Sequence, residues 1–238
     1  MATIVLIHPF PVDATFWDPV AGVLRAAGHD VITPNLPGFG GRQLEPDWTM
    51  PGEADSLAAQ IPAGSVVVGL SMGGYAALAL LAAHPDRVGS LVLADTRAAG
   101  EAPDGMAGRR DTAASLRANG SAAFLDAFVP KALRPDPAPA VVAQLRQIAE
   151  AQPAGAMADA TMAIATRDDT DGLLPDIAVP VLVIVGEHDA IIPPSVHTEM
   201  AARIPDATLA VIGGAGHLTA LEEPEEFSDL LLAHIARS

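Results

Sequence analysis

The sequence contains no cysteine. That absence excludes a disulfide framework, a thiolate metal site and a cysteine nucleophile. Basic residues are scarce. Lys and Arg number 13 against 29 Asp and Glu, a formal charge of −16 over 238 residues. Nucleic acid is disfavoured as a partner, because neutralising phosphates takes clustered Lys and Arg. The acidity itself reads as a solvated surface. No basic leader segment is visible. Thr3-Ile4-Val5-Leu6-Ile7 already reads as a buried strand, so a cytoplasmic location is the expectation. From Ile61 to Ala83 charge is missing altogether. That length approaches a membrane span. Gly69, Ser71, Gly73 and Gly74 interrupt it, which predicts a strand, a tight turn and a buried helix, with no membrane association. A phosphate-cradling glycine loop is lacking, and no histidine pair shows metal-ligand spacing beside carboxylates. Neither a metal nor a cofactor is expected.

What is present is enough apolar residue for a sizeable core, since half the chain is hydrophobic. Short runs rich in Val, Ile and Leu alternate with helix-like runs, the pattern of βαβ units around a parallel sheet. Strands are expected at Thr3–Ile7, Asp30–Thr33, Ser65–Gly69, Val88–Ala94, Val181–Val185 and Thr208–Ile212. They do not alternate polar with apolar, as strands buried on both faces should not. Helices are expected at Thr15–Ala27, Pro51–Gln60, Met72–Ala83, Pro194–Ile204 and Pro224–Ala236, with Gly28 capping the first. The stretch 97–176 breaks the rhythm. It carries helical patterns without a convincing strand, and Pro130 to Pro139 is too broken for one long helix. It is read as a helical cap inserted between two core strands, with residues 1–96 and 177–238 forming the core. Residues 97–171 carry 8 of the 13 basic side chains.

The chemistry centres on Gly69-Leu70-Ser71-Met72-Gly73-Gly74. The G-x-S-x-G pattern sits between a strand-like and a helix-like run, the context a nucleophile turn requires. A serine hydroxyl is a poor nucleophile without a base. Seven histidines compete, and His217 is best placed, in the glycine-rich loop Gly213-Gly214-Ala215-Gly216 after the last strand. The base needs a carboxylate to hold its tautomer. Asp189, directly after the strand Val181–Val185, leads. Asp95, at the end of another strand, is the rival, and Glu187 the fallback. The developing oxyanion needs two donors. The N–H of Met72 is one. The other comes from the loop Ile7-His8-Pro9-Phe10-Pro11, where Phe10 has an N–H and the prolines have none. His8 is read as structural, and His197 and His234 as surface histidines. Met106, Phe124, Leu125, Phe128, Met157 and Met162 are candidates to roof an apolar pocket.

In the order Ser71, Asp189, His217, with His8-Pro9-Phe10 and Asn35-Leu36-Pro37-Gly38-Phe39-Gly40, the chain resembles the α/β-hydrolase superfamily over nearly its whole length. Within it, the chain is similar to the small esterase and lactonase group that includes 3-oxoadipate enol-lactonase and the carboxylesterases of biotin synthesis. Leu93-Ala94-Asp95-Thr96-Arg97 echoes the lactonase side. Members often carry His-Gly at the oxyanion loop, where this chain has His8-Pro9, and Asp where Asn35 stands. The initial strands of larger members are missing. The resemblance implies an α/β-hydrolase fold with a minimal, mostly parallel sheet of about six strands. It also implies a small-molecule ester or lactone as substrate, cleaved through an acyl-enzyme. An acyltransferase, a carbon–carbon bond hydrolase or a perhydrolase would use the same triad, and a non-catalytic small-molecule receptor could retain it.

Overall fold

The computed structural model describes residues 1–45 and 47–237. Six strands form one sheet: β1 (Thr3–Ile7), β2 (Asp30–Ile32), β3 (Ser65–Leu70), β4 (Val88–Ala94), β5 (Val181–Gly186) and β6 (Ala207–Ile212). Their order is β2-β1-β3-β4-β5-β6, and every neighbouring pair runs parallel. Burial follows position. β3 and β5 are buried at every residue, whereas β6, at an edge, leaves Val211 exposed. The chain leaves β1 to one side for β2 and returns to the other for β3. Such a reversal opens a crevice at the carboxyl ends of β1 and β3, where α/β folds place ligands.

Helices flank the sheet: α1 (Asp18–Ala26), α2 (Met50–Gln60) and α3 (Met72–Ala83) in the first half of the chain. The uncharged run 61–83 is β3, a turn and α3. Nine of the twelve α3 residues are buried, which is why its sequence is apolar all round. Among the described residues, no helix is long and apolar enough to cross a membrane. Between β4 and β5 the chain forms α4 (Pro103–Asn119), α5 (Ala122–Ala132), α6 (Pro139–Glu150) and α7 (Ala154–Ala165). α4 packs on α7 and α5 on α6, with Leu116, Leu125, Leu145 and Met157 buried between them and the core. After β5 come α8 (Pro194–Arg203), α9 (Thr219–Glu222) and α10 (Pro224–Ile235).

Three differences from the sequence reading have local causes. The first helix begins as a 3-10 turn, Ala14–Trp17, because Asp13 caps the Thr15 N–H and Pro19 has no N–H to continue a ladder across Asp18. β2 stops at Ile32, since Pro34 has no N–H with which to extend the ladder. His197 and His234 are buried, not on the surface, for their helices turn those faces inward. Gly28 does close α1, at φ 88.

Candidate active site

Ser71 lies at the tip of β3 with φ 52 and ψ −111, a backbone conformation that an L-residue adopts only when its surroundings impose it. The surroundings are glycine. A Cβ on Gly69 would stand 2.3 Å from the Gly73 carbonyl oxygen, and one on Gly73 would stand 2.0 Å from the Ile7 carbonyl oxygen of β1. Only bare backbone lets the start of α3 press this close to the sheet. The turn is then clamped: the Ser71 N–H donates to the Ala94 carbonyl at 2.9 Å, and Thr96 Oγ1 donates to the Ser71 carbonyl at 2.9 Å. Met72 opens α3, so its N–H belongs to the first turn, whose donors have no intrahelical acceptor.

The three residues expected to act together do converge. Ser71 Oγ donates to His217 Nε2 at 2.9 Å, and His217 Nδ1–H donates to Asp189 Oδ2 at 2.8 Å. This proton assignment follows from the network. Asp189 Oδ2 can only accept, so Nδ1 carries the hydrogen and Nε2 offers its lone pair to the hydroxyl. Each member is positioned by backbone. Asp189 Oδ1 accepts the N–H groups of Ile191 and Ile192, both at 2.8 Å, which turns Oδ2 toward the imidazole. The His217 N–H donates to the Ala132 carbonyl at the end of α5, at 3.0 Å. Glu222, the last residue of α9, accepts from the N–H of Gly216 and of Arg134, both at 2.8 Å. The His217 loop is thereby tied to the α5–α6 connection.

The rival carboxylates are occupied elsewhere. Asp95 accepts from the Gly186 N–H at 3.0 Å and from Thr219 Oγ1 at 2.5 Å. Burial first, then the charge of Asp189, pushes its pKa well up. Glu187 is exposed and accepts the Gly214 N–H at 2.9 Å. His8 is a joint between loops. Its Nε2 accepts the Leu36 N–H at 3.0 Å and its Nδ1–H donates to the Pro9 carbonyl at 2.9 Å. Burial lowers its pKa to about 4, which keeps the ring neutral.

Ser71 and His217 open into a cavity of about 250 Å³. Phe10, Tyr75, Phe128, Ile164, Ile191 and Ile192 supply its apolar wall. Of the six residues expected to roof it, Phe128 does so, edge-on to Phe10 at 6.3 Å. Leu125 and Met157 are fully buried and pack the helices on the core. The same cavity holds three charged side chains that sequence patterning did not single out: Arg97, Glu101 and Arg109. A signal existed. Arg97 stands three residues beyond a strand end, and Glu101 four residues further, but that spacing suggests a helix where the chain makes a turn. A larger cavity, about 570 Å³, lies beyond Tyr75 and Arg167 and contains neither Ser71 nor His217. Among the described residues, no group of three or more His, Asp or Glu is arranged to hold a metal ion.

Comparison with known proteins points one way. A model of the alpha/beta hydrolase family matches residues 4–230. Pimeloyl-[acyl-carrier protein] methyl ester esterase of Aromatoleum aromaticum is 32% identical, over 96% of each chain. Among solved structures, a thermophilic esterase from Thermogutta terrifontis with malate bound is similar at TM-score 0.95 and 34% identity, covering 100% of this chain and 90% of that one. The enol-lactonase from Burkholderia xenovorans is similar at TM-score 0.88 and 27% identity, covering 99% and 91%.

Proposed function

This chain belongs to the alpha/beta hydrolase family, and on that premise we propose that it is a serine hydrolase cleaving a carboxylic ester or lactone of small size. The observation that carries the reading is the continuous relay from Ser71 Oγ through His217 to Asp189, at 2.9 and 2.8 Å. The esterase and lactonase names of its relatives support it.

The chemistry follows from the relay. His217 Nε2 takes the Ser71 proton as Oγ attacks the ester carbonyl carbon. Asp189 stabilises the imidazolium and keeps its orientation. The N–H groups of Met72 and Phe10 receive the developing oxyanion. Phe10 lines the Ser71 cavity, and Met72 heads a helix whose dipole favours negative charge. The C–O bond to the alcohol breaks, and His217 returns the proton to the leaving oxygen. Water then attacks the acyl-serine with His217 as base, and the acid is released. In this reading residues 97–176 act as the cap. They supply Phe128, Ile164 and the charged wall over the Ser71 cavity, while 1–96 and 177–238 form the core.

The test is kinetic. Ser71→Ala lowers kcat for p-nitrophenyl butyrate by about 10⁴-fold or more while the circular dichroism spectrum is unchanged, because the covalent step is lost. His217→Ala is comparably severe. Near-wild-type turnover in the serine variant overturns the mechanism.

A further inference from the structure

The charged wall of the cavity is unbalanced. Glu101 is its hub. Arg97 Nη2 donates to Glu101 Oε1 at 2.8 Å, Arg109 Nε to Oε2 at 2.6 Å, and Arg167 Nη1 to Oε2 at 3.3 Å. Burial alone would raise the Glu101 pKa. The hydrogen bond from Arg109 and the charges of Arg109, Arg97 and Arg167 outweigh it and hold the pKa at about 2. One carboxylate therefore stays charged and faces three guanidinium groups.

Arg167 is the fixed member of the cluster, and its contact with Glu101 is the longest of the three. It is buried, donates to the carbonyls of Ile164 at 2.7 Å and Ala99 at 2.8 Å, and lies 4.1 Å over the Tyr75 ring. It is built into the wall. Arg97 and Arg109 are not. Among the described residues, each makes a single hydrogen bond, to Glu101, and keeps its other donors. The Nε of Arg97 is buried without a partner, as is that of Arg167, but Arg97 is the one of the two that lines the Ser71 cavity. A buried guanidinium donor left unpaired costs free energy unless a ligand satisfies it. Two arginines against one carboxylate also leave a net positive charge at the cavity of Ser71 and His217, in a chain of net charge −16. Screening confines surface charges to within about 8 Å, so this excess acts on what enters the cavity.

We infer that Arg97 and Arg109 form a carboxylate subsite, and that the substrate is an ester or lactone bearing a second, free carboxylate a few bonds from the scissile carbonyl. The inference rests on the ester-hydrolase reading and narrows it. A guanidinium fork matches a planar carboxylate, and Glu101 holds both forks in place without consuming them. The apolar wall contacts the methylenes between the two groups. The cavity's about 250 Å³ suits a half-ester of a short dicarboxylic acid.

The test compares monomethyl glutarate with its neutral primary-amide isostere, which differs in charge and not in shape. The wild-type kcat/KM is about tenfold or more higher for the acid, with most of the difference in KM, as a charge-assisted hydrogen bond at a partly desolvated site allows. Arg97→Gln and Arg109→Gln bring that ratio to about one. Glu101→Gln keeps or raises it, whereas a purely structural salt bridge would lower both substrates together. Arg110→Gln, which removes the same charge from an exposed position on α4, leaves the ratio unchanged. The wild-type ratio needs no variant to fold, and a value of one or below overturns the inference. So does an unchanged ratio in both arginine variants. Hydrolysis of p-nitrophenyl butyrate without discrimination between the pair removes the subsite alone. Hydrolysis of none of the three esters removes the hydrolase reading itself.

Discussion

Asp189 and Asp95 are both buried and both follow a central strand, yet only one faces the imidazole. The difference is made by what fills the second carboxylate: Gly186 and Thr219, from distant parts of the chain, occupy Asp95. No local pattern carries that information, so the sequence ranks the two by motif order alone. Ser71 and His217 were legible because each stands in a glycine-rich turn after a strand. Arg97 and Arg109 were not, since their convergence on Glu101 joins a loop to a helix. Asp189→Asn is expected to lower kcat/KM at least about 10²-fold further than Asp95→Asn, because it removes the acceptor that fixes the His217 tautomer. The reverse ordering, in a steady-state assay of the two variants, moves the acid to Asp95.

The elements themselves were largely readable. Continuous Val, Ile and Leu runs announce strands covered on both faces, and all six agree with the structure to within one residue at each end. α9 escaped notice because four residues, Thr219–Glu222, give too short a window for any periodicity. The four helices between β4 and β5 were visible only as helical composition. Their partners lie far away in sequence, as with α4 against α7. The junction of β3 and α3 is the element-scale joint on which the site depends. Gly73→Ala would put a methyl 2.0 Å from the Ile7 carbonyl oxygen, which is backbone of β1 and cannot swing aside. A loss of about 3 kcal/mol is expected, the upper end for overpacking a core. Urea unfolding checks this, and a midpoint equal to the wild type contradicts the packing described.

For the whole molecule, acid sensitivity follows from two buried histidines. His8 and His197 are pushed down from 6.5 to about 4, mainly by burial. Their folded pKa lies below the unfolded one, so the unfolded chain takes up protons first as pH falls. The stability they confer is complete above about 6.5 and drains away toward 4. Asp13 and Arg42 act on His8 with weaker, opposite effects. Asp95, raised by burial, works in the other direction and lowers the net slope. Replacing His8 with Asn should therefore flatten the pH dependence of unfolding free energy by up to about 1.4 kcal/mol per pH unit inside that window. An unchanged slope in urea titrations across it contradicts a neutral His8. The central claim, that one serine among all those of the chain becomes an acyl acceptor, has a more direct test. The intact protein is treated with a fluorophosphonate, weighed by mass spectrometry and mapped by proteolysis. A single adduct on Ser71 is expected, absent from Ser71→Ala and slowed in His217→Ala. An unmodified wild-type chain, or an adduct on any other residue, would contradict it.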